Sequence, residues 1–160
     1  MSNEKHVWYV AYGSNLSRER FMIYIKGGHF RTNDYPPCAD ITPPIKEYRC
    51  FVPHERYYAK ESKNWGHQGV AFLDVVKGSG NTLCRAYLIT EEQFKHIQNA
   101  EGPWYSYPLR LGLIEGKEAI TFTGKNRYKQ VQPHEDYLKI IEKGEAQTLM
   151  LPFAKIDELP

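Results

Sequence analysis

The order of apolar and polar positions divides the chain into short elements. Residues 6–12 (HVWYVAY) are rich in β-branched and aromatic side chains and predict a strand that stops at Gly13-Ser14-Asn15. Ser17 can then cap a helix running through about Ile25, which Gly27-Gly28 would end. Residues 29–46 hold Pro36, Pro37, Pro43 and Pro44, which exclude a central strand or a helix and predict a long ordered loop. Residues 47–52 and 56–59 are short strand candidates. Residues 69–76 (GVAFLDVV) are almost continuously apolar, as in a buried strand. A Lys77-Gly78-Ser79-Gly80-Asn81 turn and a strand over 82–89 follow, and the pair predicts a hairpin. Thr90 and Gln93 can form a capping box. The helix they open carries Phe94, Ile97 and Gln98 on one face and Glu101 in its last turn, before Gly102-Pro103. Residues 107–114 and 119–123 read as strands joined at Gly116. Residues 133–143 read as a helix with Pro133 at its start and Gly144 at its stop. Strands mixed with a few flanking helices predict an α+β fold: a small, largely antiparallel, barrel-like sheet, in one domain over residues 1–160.

Composition narrows the function classes. Lys and Arg total 21 against 19 Asp and Glu, so the net charge of +2 gives no field that draws nucleic acid or an anionic membrane. No apolar run reaches the roughly 20 residues of a membrane span. Residues 1–5 lack the apolar stretch of a signal peptide, which predicts a cytoplasmic protein with free thiols. Cys38, Cys50 and Cys84 lack the close spacing of a zinc ribbon or redox pair. Metal and nucleotide motifs are missing too. His54-Glu55 has no second His at helical spacing, and Leu83 stands where a dinucleotide loop needs its third glycine. No cofactor is expected. Tyrosine is the outlier, 12 residues beside 7 Phe and 3 Trp. An apolar ring with a polar tip suits the wall of a polar cleft, and it equally suits a strand.

Two features carry chemistry. In Tyr12-Gly13-Ser14-Asn15-Leu16 the glycine admits a sharp turn and close ligand approach. Backbone N–H groups at the following helix start favour an oxyanion. The same segment also reads as an ordinary strand-to-helix turn with polar caps. The second feature is Glu101, a carboxylate at the negative end of a helix dipole, where local rules disfavour it. Dipole and burial beside Trp104 would raise its pKa toward the range of a neutral-pH general acid/base. The bland alternative is a solvated surface Glu.

Together these features resemble the γ-glutamylcyclotransferase-like family, which includes the AIG2-like proteins. The resemblance rests on Tyr12 to Leu16 after the first strand and Glu101 at a helix end, with support from residues 65–71 (WGHQGVA), 85–89 (RAYLI) and 133–138 (PHEDYL) with Ile141 and Gly144. It covers roughly residues 6–150 and implies a barrel-like sheet enclosing one cleft. It further implies a cofactor-independent enzyme that cyclises a small γ-glutamyl amino acid, amine or related amide to 5-oxoproline, releasing the amine. Glu101 would be catalytic. Tyr12, Gly13, Ser14, Asn15, Leu16 and Tyr137 would bind substrate. The tyrosine after the catalytic Glu is Tyr105 or Tyr107, with Tyr105 favoured; Tyr128 is a possible neighbour. His134 stands where the family usually has Ser. The proline-rich segment 29–46 is longer than in compact members and would rim the cleft near the leaving group. Rival readings are a non-catalytic module binding a small amide or peptide terminus in the same cleft, and acyl transfer with Ser14 as nucleophile.

Overall fold

A computed structural model describes residues 5–159. The reading of a leaderless start at residues 1–4 lies outside the described residues. The chain builds β1 (His6–Ala11), α1 (Arg18–Lys26), β2 (Gly28–Phe30), β3 (Asn33–Tyr35), β4 (Glu47–Val52), β5 (Arg56–Ser62), β6 (Gln68–Leu73), β7 (Thr82–Thr90), α2 (Glu91–Glu101), β8 (Tyr107–Ile114), β9 (Lys117–Thr123) and α3 (Glu135–Leu149). The fold is α+β. Its main sheet has five strands in the order β4-β7-β1-β9-β8. Every neighbouring pair is antiparallel except β1 with β9.

Strand β1 explains the layering. Its alternate residues Val7, Tyr9 and Ala11 pack against Phe21, Tyr24 and Ile25 of α1 and Ile97 of α2. Trp8, Val10 and Tyr12 face the opposite way, toward β5, β6 and α3. Both faces of the strand are thus covered, which is why its sequence reads as a continuous apolar run rather than an alternating one. The β5–β6 pair packs beside the sheet and is tied to it by Thr123, whose hydroxyl accepts from Leu73 N at 3.0 Å and donates to Leu73 O at 2.7 Å.

Local signals place the helices. The Ser17 side chain accepts from Arg20 N, and Gly27 closes α1 at φ 77°. Thr90 and Gln93 form the reciprocal capping box of α2, and Gly102 at φ 81° ends it directly after Glu101. Three expectations are corrected. The turn at residues 77–81 does not join a hairpin: β6 pairs with β5, and β7 lies between β4 and β1. Residues 29–46 are not all loop, because β2 and β3 form a short hairpin ahead of the prolines. Gly144 does not stop α3, which His134 caps and which continues to Leu149. A Cβ at Gly144 would lie 2.5 Å from Ser17 N and 2.6 Å from the Leu16 carbonyl carbon. The glycine lets α3 press onto the turn after β1 instead of ending the helix.

Candidate active site

The end of β1 is where the elements converge. Ser14–Leu16 forms one 3-10 turn between β1 and α1. Every carbonyl from Tyr12 to Leu16 is occupied. Arg56 Nη1 donates to Tyr12 O at 3.1 Å, and Tyr87 Oη donates to Asn15 O at 2.7 Å. Arg85 Nη1 donates to Leu16 O at 3.2 Å. Within the turn, Leu16 N bonds Gly13 O and Ser17 N bonds Ser14 O. The acceptors are thus directed into the protein. Among the described residues the N–H groups of Gly13, Ser14 and Asn15 find no acceptor. A turn held in this way presents donors of fixed direction, the arrangement an oxyanion needs.

Those residues line a cavity of about 50 Å³ together with Tyr9, Tyr12, Tyr24, Ala71, Glu101, Tyr105, Phe122 and Tyr137. Gly13 belongs there because of close approach: a Cβ would meet Ala71 Cβ at 3.1 Å and Tyr137 Oη at 3.4 Å. The tyrosines are anchored by their tips. Tyr12 Oη donates to Phe122 O at 2.7 Å and Tyr105 Oη to Ala71 O at 2.9 Å, while Tyr137 Oη accepts from Ala71 N at 2.9 Å. Ala71 is therefore gripped from both sides of its backbone. Burial raises the phenol pKa of Tyr9, Tyr12, Tyr24, Tyr105 and Tyr137, keeping each a donor at neutral pH.

Glu101 enters from the end of α2. Its Oε1 accepts from Tyr9 Oη at 3.3 Å, and Tyr9 Oη in turn accepts from Asn15 Nδ2 at 2.9 Å. Burial pushes its carboxyl up to about 7; the nearby Arg20 charge and the Tyr9 hydrogen bond pull the other way and do not cancel it. Near neutrality such a group both accepts and returns a proton.

The structure brings together Tyr12, Gly13, Ser14, Asn15, Glu101, Tyr105 and Tyr137. Leu16 is a correction: it is fully buried in the core against Gly144 and does not line the cavity. Of the two candidate tyrosines, Tyr105 is the one in the wall; Tyr107 begins β8, away from it. Tyr128 sits behind the wall, its ring edge-on to Phe72 and its hydroxyl on Trp104 O. No histidine lines the cavity, so Ser14 has no imidazole to activate it as a nucleophile. Sequence reasoning missed Tyr9, Tyr24 and Arg20. Tyr9 lies in the predicted first strand and Tyr24 in the predicted first helix, and only the fold sets both beside Glu101 in the cavity wall.

A second chamber of about 210 Å³ shares Ser14, Tyr24, Glu101, Tyr105 and Tyr137 with the first. The β2–β3 hairpin forms part of its wall through Phe30, Asn33 and Tyr35, so segment 29–46 does border the cleft. Trp104 lies in this second chamber with Glu101. Among the described residues no group of three or more His, Cys, Asp or Glu side chains is placed to hold a metal ion, and Cys38, Cys50 and Cys84 are buried free thiols. No helix among them is long and apolar enough to cross a membrane.

No family model matches the sequence. Histone deacetylase 5 of Arabidopsis thaliana is 34% identical over 100 residues, 59% of this chain. The chain spans only 15% of that protein's length. Solved structures align over nearly the whole chain. A gamma-glutamyl cyclotransferase superposes with a TM-score of 0.64 at 20% identity, over 91% of this chain and 82% of that one. An uncharacterized Homo sapiens protein gives 0.61 at 19% identity, over 94% and 90%. YkqA from Bacillus subtilis gives 0.57 at 15% identity, over 94% and 56%. With its mixed five-stranded sheet, helices α1 to α3 and the convergence of elements at the end of β1, the chain has the γ-glutamylcyclotransferase-like fold.

Proposed function

We propose that this chain is a cofactor-independent cyclotransferase that closes a γ-glutamyl group to 5-oxoproline and frees the attached amine. One observation carries the reading: a carboxyl poised near 7 opens onto the same small cavity as three backbone N–H groups without acceptors. Nucleophile and electrophile belong to one substrate, so the protein supplies geometry, proton transfer and charge stabilisation. The α-amine attacks the γ-carbonyl carbon, a C–N bond forms to close a five-membered ring, and the carbonyl oxygen becomes an oxyanion facing the Gly13–Asn15 donors. The bond from that carbon to the leaving nitrogen then breaks. The α-ammonium gives up two protons in this sequence and the departing nitrogen gains two on becoming an ammonium. Glu101 carries one between them, and the other exchanges with water. Asn15 Oδ1, a buried acceptor with no partner among the described residues, suits the substrate's α-ammonium.

The test is 5-oxoproline release from a panel of γ-glutamyl amino acids, amines and amides, with Glu101→Gln as control. The reading expects release from at least one compound and a loss on the order of a hundredfold in the control. Binding without release, insensitive to Glu101→Gln, would overturn it in favour of a ligand-binding module on the same fold.

A further inference from the structure

Arg20 projects from α1 into the second chamber and is only 8% exposed. Its guanidinium lies over the rings of Phe30 at 4.3 Å, Tyr24 at 4.6 Å and Tyr35 at 4.9 Å. Nη2 donates to Tyr35 Oη at 3.1 Å and, weakly, to Tyr24 Oη at 3.4 Å. Nε and Nη1 are buried and have no partner among the described residues. A buried guanidinium with two idle donors is costly unless a ligand completes it. Nε–H and the Nη1 hydrogens leave the guanidinium on different edges, because the edge that Nε–H shares belongs to Nη2, which the tyrosines hold; each is a separate charged donor for one carboxylate oxygen.

The rest of the chamber is built to hold such a group. Its walls alternate apolar and polar surfaces: Trp65 and Trp104 supply flat rings, Asn33 and Asn64 supply amides. The hairpin that closes it is fastened across the gap. Arg31 Nε donates to Asn64 O at 2.7 Å, and the Arg31 guanidinium lies 3.8 Å over the Trp65 ring. Arg31 sits at φ 54°, a left-handed conformation that a non-glycine residue adopts only when its surroundings hold it there. The chamber shares Ser14, Tyr24, Glu101, Tyr105 and Tyr137 with the first cavity, so it is the adjoining space with room for a group attached to the reacting carbon.

Resting on the cyclotransferase reading above, we propose that Arg20 determines specificity by gripping a carboxylate on the leaving group, so that acidic leaving groups are preferred over neutral amines of the same shape. The segment 28–35 and Arg20 thus act together, one as the chamber's wall and the other as its charge.

The experiment compares γ-glutamyl-alanine with γ-glutamyl-alaninamide, which has the same shape and no terminal charge. A charged hydrogen-bond pair in a buried site discriminates by roughly tenfold to a hundredfold. The wild-type chain is expected to favour the acid by that ratio in kcat/KM, mostly through KM. Arg20→Met is expected to bring the ratio within about threefold, and Arg20→Lys to restore part of it. A wild-type ratio near one overturns the proposal without reference to any variant. So does a folded Arg20→Met chain, checked by circular dichroism, that keeps the wild-type ratio. Calorimetric binding of both compounds to Glu101→Gln separates this proposal from the reading it rests on. If the wild-type chain releases 5-oxoproline from no compound of the panel, yet the acid binds to Glu101→Gln tenfold or more tightly than the amide, the chamber stands and the cyclotransferase reading falls. Equal affinity, or no binding of either, overturns the chamber.

Discussion

Two glutamates flank the same turn and live in opposite conditions. Glu47, on β4, is 16% exposed at its side chain and meets guanidinium donors from Arg85 at 2.7 and 3.0 Å and from Arg18 at 3.1 Å. Arg85 passes this on by also holding Leu16 O. Glu101, on the other side, has a single tyrosine at 3.3 Å and a carboxyl pushed up to about 7. Both are partly buried. One is paired until its charge costs little; the other is left short of partners and opens onto a cavity. The difference separates a carboxylate that holds the backbone from one able to exchange a proton: burial raises Glu101, and it has too few partners to offset that, whereas Glu47 meets two guanidinium groups.

The largest expected effect lies on the Glu47 side. Arg85→Met leaves a half-paired buried carboxylate and frees Leu16 O, so denaturant unfolding should show a loss of about 3 kcal/mol. Little or no loss would mean that the pair is not what fixes the turn.

On the other side the expected stability change has the opposite sign. The folded Glu101 carboxyl lies above its ordinary 4.5, so its contribution to stability is complete below about pH 4.5 and is lost as pH rises through about 7. Glu101→Gln removes that penalty. At pH 8 it should be more stable than the wild type by on the order of 2 kcal/mol, with the gap closing by pH 4. A variant of equal or lower stability at pH 8 would erase the contrast between the two glutamates.

Smaller is the effect of Tyr9→Phe. It removes the hydrogen bond that favours the ionised Glu101, so the carboxyl should titrate higher still. The ascending acid limb of kcat/KM for 5-oxoproline release, set near pH 7 in the wild type, should move upward, with the plateau rate falling about tenfold or less. An unmoved limb would show that Glu101 is not the group being read. Gly13→Ala is a mild test of cavity shape. Its Cβ meets Ala71 and Tyr137 at the tight edge of contact, so KM should rise more than stability falls.

Much of the site was legible because its signals are local. A glycine turn between an aromatic strand and a helix, and a carboxylate set against a helix end by Gly102-Pro103, are each visible within a few residues, and the second violates a local preference of the kind that accumulates at functional sites. Tyr105 and Tyr137 came only through the family resemblance. What escaped was long-range. Tyr9 is 92 residues from Glu101, and nothing in a strand of apolar residues says which hydroxyl will meet which carboxyl. Arg20 carries no local signal of its own; its place in the chamber depends on the β2–β3 hairpin, whose Phe30 ring lies under the guanidinium. The misjudged elements share a cause. The turn at residues 77–81 has the chemistry of a hairpin loop, yet strand pairing is decided by the sheet. Gly144 has the chemistry of a helix stop, yet the space it leaves is filled by Leu16 and Ser17. Leu16, inside a motif, follows its side chain into the core.

The most direct measurement is the titration of the Glu101 side chain by carbon NMR, with its resonance assigned by loss in Glu101→Gln. Glu101 should show an inflection near pH 7, well above the ordinary carboxylate range. An inflection near 4.5, where an exposed glutamate titrates, would contradict it: Glu101 would then be a solvated surface charge and not a proton carrier.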